Sequence, residues 1–64
     1  MVGKAENRFR VTSYLKGERK RQVYCETLEE ARRIVQENLK SFERCTIERN
    51  AIWTLVETHE RAGE

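Results

Sequence analysis

The sequence predicts an α+β fold: a small ββαββ domain in which one amphipathic helix packs on one face of a four-stranded, mainly antiparallel sheet. Three observations predict it. Apolar and polar residues alternate across 9–16 and again across 22–25, the period of strands with one dry and one wet face. A capping sequence at Thr27 then opens a run of apolar residues at helical spacing. After Glu43 the pattern returns to strands.

In the first strand Phe9, Val11, Ser13 and Leu15 alternate with Arg10, Thr12, Tyr14 and Lys16. The second places Val23 and Cys25 inward and Gln22 and Tyr24 outward, with Gly17 marking the turn between them. For the inward residues of both strands to share a face, paired residue numbers must give an even sum, because a one-residue slip turns one strand over. Pairing Val11 with Cys25, Thr12 with Tyr24 and Ser13 with Val23 satisfies this and leaves Gly17-Glu18-Arg19 as a three-residue loop. Arg10 then faces Glu26.

Thr27-Leu28-Glu29-Glu30 reads as a capping box: the Thr27 hydroxyl accepts from the Glu30 amide, and the Glu30 carboxylate reaches back to the amide of Thr27. Leu28, Ala31, Val35, Leu39 and Phe42, widened by Ile34, form the buried stripe, with Glu29, Arg33, Glu37 and Lys40 on the wet side. Cys45 and Ile47 then share a face, a turn falls near Arg49-Asn50, and 51–56 follow as an apolar strand. A two-residue turn pairs Ile47 with Ile52 and Cys45 with Thr54. Ile52, Thr54 and Val56 would then face the helix, and Trp53 and Leu55 the other way. A three-residue turn reverses these assignments. Strand order is left open.

The chain has 64 residues, 38% of them charged, with no proline, two cysteines and one histidine. It reads as one domain over 1–64, with 1–7 and 59–64 expected to fray. A chain this short has a thin core, so any added burial matters. Its longest apolar run, Ala51-Ile52-Trp53, is far below the roughly 18 residues that span a bilayer, and no apolar signal stretch opens the sequence, so a soluble, cytoplasmic protein is expected. All eleven acids are glutamate, and Cys25 and Cys45 lie twenty apart without a CxxC pair or a nearby histidine. No metal, cofactor or small-molecule substrate is expected, and both thiols read as buried core residues, with a disulfide second. His59 lies in the expected tail, away from either thiol, so an enzyme is not expected.

Charge is distributed unevenly. Residues 1–21 carry seven basic and two acidic side chains, and residues 22–64 six basic and nine acidic. The uncovered sheet face is expected to gather Arg8, Arg10, Tyr14, Tyr24, Arg44 and, with the shorter turn, Trp53. The hairpin at 16–21 adds Lys16, Arg19, Lys20 and Arg21. Basic groups interleaved with aromatics suit nucleic acid, DNA or RNA, with cations on phosphates and rings on bases. The same residue types suit a protein interface, in which this module would act as a homodimer or as a small accessory or inhibitor protein of phage type. Leu55 favours the protein reading. Nucleic acid is placed first because the cations are concentrated where the aromatics are.

The basic hairpin running into Thr27-Leu28-Glu29-Glu30-Ala31 is similar, over about residues 8 to 40, to the arm-site DNA-binding domains of tyrosine recombinases. That family lays a small sheet in the major groove, so the resemblance implies DNA. The chain departs from it in offering two strands before the helix where the family has three.

Overall fold

A computed structural model describes residues 8–50 and 52–61. Its elements are β1 (Phe9–Leu15), β2 (Glu18–Cys25), α1 (Leu28–Asn38), β3 (Arg44–Arg49) and β4 (Thr54–Glu60). They form an open antiparallel sheet in the order β2-β1-β3-β4, with the helix on one face. This is the expected ββαββ domain. Both β2 and β3 pair antiparallel to β1, from opposite sides, so α1 carries the chain across β1 and comes to lie over the three strands nearest it.

The first hairpin keeps its expected face but not its expected register. Phe9 pairs with Cys25, Arg10 with Tyr24 and Val11 with Val23, two residues away from the predicted pairing, and Arg10 does not face Glu26. The connection is the two-residue turn Lys16-Gly17 rather than a three-residue loop, and both residues adopt positive φ, +55° and +81°. That matches the twist of a tight hairpin. Such a turn pairs Leu15 with Glu18, an odd sum, whereas a shared inner face needs an even one. A bulge reconciles the two: Tyr14 pairs with Arg19 and Ser13 with Arg21, leaving Lys20 as the extra residue.

The helix starts where its cap predicts. Thr27 Oγ1 accepts from the Glu30 amide at 3.0 Å, while the Glu30 carboxylate accepts from the amide of Glu26, one residue earlier than expected, at 3.2 Å. It ends at Asn38, before Phe42, where the amides of Lys40 and Ser41 shift to bonds three residues back, on the Glu37 and Asn38 carbonyls at 3.2 and 2.9 Å. Phe42 therefore packs from the following loop.

The second hairpin corrects the sequence reading more deeply. β3 stops at Arg49 and β4 resumes at Thr54, so neither the two- nor the three-residue turn is present. Ile52 lies in the connection at φ +73° and is 93% exposed, so it is not a core residue. Ile47 pairs with Glu57 and Cys45 with His59, and Val56 is a second bulge between Glu57 and Leu55. The frayed tail expected from His59 onward is likewise replaced by strand. β4 continues through Glu60, and the Arg61 amide donates to the Glu43 carbonyl at 2.9 Å. The tail at 1–7 and the last three residues lie outside the described residues.

The core is Val11, Cys25, Ala31, Val35, Cys45 and Ile47, with Phe9, Leu28, Ile34 and Leu39 packed against it. Both cysteines are buried and free, as expected. A polar thread runs through this core: Asn38 Nδ2 donates to Ser13 Oγ at 3.0 Å, and Ser13 Oγ lies 3.4 Å from Cys45 Sγ. Bonding satisfies a buried amide whose isolation would cost about 1 to 3 kcal/mol. β4 receives little cover from α1. A bidentate contact from Arg32 of the helix to the Glu57 carboxylate reaches it instead, and His59 Nε2 lies 2.8 Å from the same carboxylate.

Candidate binding face

The strand registers arrange the helix-free face as three cross-strand rows. Nearest the 50–53 connection run Tyr24, Arg10, Glu48 and Leu55. The middle row is Gln22, Thr12, Thr46 and Thr58. Nearest the Lys16-Gly17 turn run Arg19, Tyr14, Arg44 and Glu60. Alternation in each strand supplies these residues, and the two bulges keep them in line.

The first row is aromatic and internally neutralised. Arg10 Nε donates to Glu48 Oε1 at 2.6 Å, and Thr12 Oγ1 donates to the same oxygen at 3.1 Å. Burial works to lower the Arg10 pKa, but its hydrogen bonds to Glu48 and Tyr24 outweigh that and hold it above its ordinary value. Trp53 folds over this row from the connection. Its ring lies 4.3 Å beneath the Arg10 guanidinium and meets Tyr24 edge-on at 5.7 Å between centroids. Leu55, 57% exposed, and Tyr24, 45% exposed, extend it to either side, with Ile52 at the rim. The apolar end of the sheet is thus open to solvent.

The third row is charged. The Arg44 guanidinium lies 4.7 Å over the Tyr14 ring, and Glu60 stands opposite Arg44 on β4. Beyond it the turn displays Lys16, whose amide donates to Glu43 Oε1 at 2.9 Å, and the bulge displays Lys20, paired with Glu18 at 3.1 Å. Lys16 and Arg19 are exposed and have no ion pair among the described residues.

The residues expected to form one site therefore divide. Arg10, Tyr24 and Trp53 gather at one end, and Tyr14, Arg19 and Arg44 at the other, with Lys16 and Lys20 at the hairpin tip. Arg8 is exposed just before β1. Arg21 lies on the helix side, donating to Asn38 Oδ1 at 3.4 Å with its guanidinium 5.7 Å from the Phe42 ring. It is a packing residue of the other face. Sequence reasoning gave no weight to Glu48, the carboxylate that organises the first row. Its signal is the match with Arg10, which becomes visible only once β3 is known to lie beside β1.

His59, expected in a tail away from either thiol, instead stands opposite Cys45 in the β3–β4 ladder. Burial, followed by the charge of Glu30, pushes the Cys25 thiol above its ordinary value, so its thiolate is disfavoured. Among the described residues no cluster of three or more His, Cys or Glu side chains is placed to hold a metal ion, and no helix is long and apolar enough to cross a membrane. Compared with known proteins, the chain matches no family, no curated protein and no solved structure. The reading of the face rests on its own geometry.

Proposed function

We propose that this protein is a non-catalytic protein-binding module whose contact surface is the aromatic end of the open sheet face. One observation carries the reading: Tyr24 and Trp53 pack around an arginine whose charge Glu48 already balances, and Leu55 is exposed at the far end of the same cross-strand row. A phosphate would meet a neutral pair there, and a base would have to displace Arg10 to stack on that face of Trp53. A protein partner loses nothing by either arrangement. Tryptophan, tyrosine and arginine are the residue types that dominate interface energetics, and leucine beside them supplies area.

Nucleic acid remains the second reading, moved from the face to the hairpin tip. Lys16 and Arg19, exposed and without ion pairs among the described residues, support it. Its hallmark is a steep loss of affinity with salt.

Two variants separate the readings. Wild type, Trp53→Ala with Leu55→Ser, and Lys16→Gln with Arg19→Gln and Lys20→Gln would serve as baits in a host lysate. Each would also be titrated with labelled single- and double-stranded DNA and RNA at low and physiological salt. The protein reading expects a specific protein captured by wild type and by the hairpin variant but lost with the Trp53 variant. A salt-sensitive oligonucleotide complex lost only in the hairpin variant would overturn it in favour of the second.

A further inference from the structure

The two edges of the sheet are guarded differently. β2 presents Arg19, Lys20 and Arg21 along its length and is bulged at Lys20, both of which discourage a neighbouring strand. β4 contains neither lysine nor proline, and its bulge at Val56 leaves Glu57 to Glu60 regular. We infer that β4 pairs antiparallel with β4 of a second copy of this chain, across a two-fold axis at Thr58. The inference rests on the protein-binding reading, because Leu55 lies on β4 at the end of this edge, and it adds a second copy of the chain as one partner.

Backbone direction and charge select this register. The Arg61 amide donates to the Glu43 carbonyl, so the main-chain groups of Arg61 point to β3. By the alternation of an antiparallel ladder those of His59 and Glu57 point the same way, and those of Thr58 and Glu60 point to the free edge. A two-fold pairing must match outward residues with outward residues. Centring it on Glu57 would set that carboxylate against its own copy. Centring it on His59 would set two imidazoles together and require Arg61, which donates to the Leu39 and Phe42 carbonyls at 3.1 and 3.2 Å, to turn toward Glu57 of the second copy. Centring it on Thr58 places Glu57 opposite His59 of the second copy, twice over, with a threonine pair on the axis. An isologous contact of this kind closes as a dimer and continues the sheet to eight strands.

Sedimentation velocity on the full chain, from about 5 to about 500 µM, spans the affinities of a contact this small. Wild type should pass from monomer to dimer over that range. Thr58→Pro removes an outward N–H and no bond to β3, so it should remain folded by circular dichroism and stay monomeric. Thr58→Glu, which sets two carboxylates on the axis, should weaken the dimer at least tenfold and covers the case in which the proline variant misfolds. A wild type that is monomeric throughout overturns the self-pairing while leaving the lysate experiment on Trp53 and Leu55 to decide the broader reading. A dimer that tolerates Thr58→Glu overturns the β4 contact.

Discussion

The two ends of the open sheet face are built from the same residue types and behave differently. Each has an arginine on an aromatic ring, Arg10 on Trp53 and Arg44 on Tyr14, at 4.3 and 4.7 Å. At the Trp53 end Glu48 accepts from Arg10 and from both central threonines, so the charge is held internally and apolar side chains remain on show. At the Tyr14 end Glu60 sits on an edge strand, and the lysines of the turn project beyond it. The difference is the position of one carboxylate: central on β3 it collects donors, and on β4 it faces solvent. Composition alone assigns both ends the same basic-aromatic character.

Removing that carboxylate should break the contrast most severely. Glu48→Ala leaves Arg10 and two hydroxyls without their acceptor and should cost about 2 kcal/mol, read as a lower urea midpoint. It should also turn the Trp53 end cationic, measurable as a new salt-dependent affinity for oligonucleotides. Trp53→Ala comes next, at about 1 to 2 kcal/mol, since it loses a ring contact with Arg10 and a partly buried surface rather than core. A loss of 4 kcal/mol or more would mean that Trp53 is core and not surface.

At the opposite end Gly17→Ala tests backbone alone. Nothing lies within 4 Å of where its methyl would sit, so the cost is that of φ +81° in an L residue, about 1 kcal/mol. Thermal denaturation should show it without any change in the Trp53 environment. The smallest effect belongs to Arg32→Gln, which breaks a solvent-exposed surface pair and should barely move the urea midpoint at neutral pH. Arg32, and then His59, hold the Glu57 carboxyl at about 2, below its ordinary 4.5. A depressed folded-state value gives stability that is complete above pH 4.5 and lost as pH falls toward 2. The acid limb of a stability–pH profile should flatten in the variant between those values and stay unchanged above them.

Local patterns were legible in the sequence and non-local ones were not. Alternation around Val11 and the Thr27 cap depend on neighbours within four residues, and both describe the structure except that the Glu30 carboxylate takes the Glu26 amide. Burial of both cysteines followed from their inward positions. Register failed in both hairpins because a bulge is a parity correction, visible only when turn length and facing residues are known together. Lys20 and Val56 carry no mark of their own. The apolar run at 51–56 misled for a related reason: Ile52 and Trp53 form a connection with left-handed backbone, and Glu57 and His59 take the positions assigned to Ile52 and Thr54. Of the candidate site, Arg10, Tyr14, Tyr24 and Arg44 lie on the uncovered face as alternation places them; Arg21 shares the parity of Val23 and Cys25 and lies on the helix side, and the bulge at Lys20 is what brings Arg19 to the open face.

That bulge also sets how the gene can change. An in-frame loss of one codon anywhere from Glu18 to Arg21 would remove the spare residue, leave Lys16-Gly17 as the turn and keep Val11 against Val23 and Phe9 against Cys25. The same loss inside β3, which runs against β1 without a break in register, would reverse the facing of Cys45 or Ile47 and turn out one of the two core residues that β3 contributes. The hairpin next to the basic tip is therefore the part of this sheet whose length is free to drift, and β3 is the part whose length is locked.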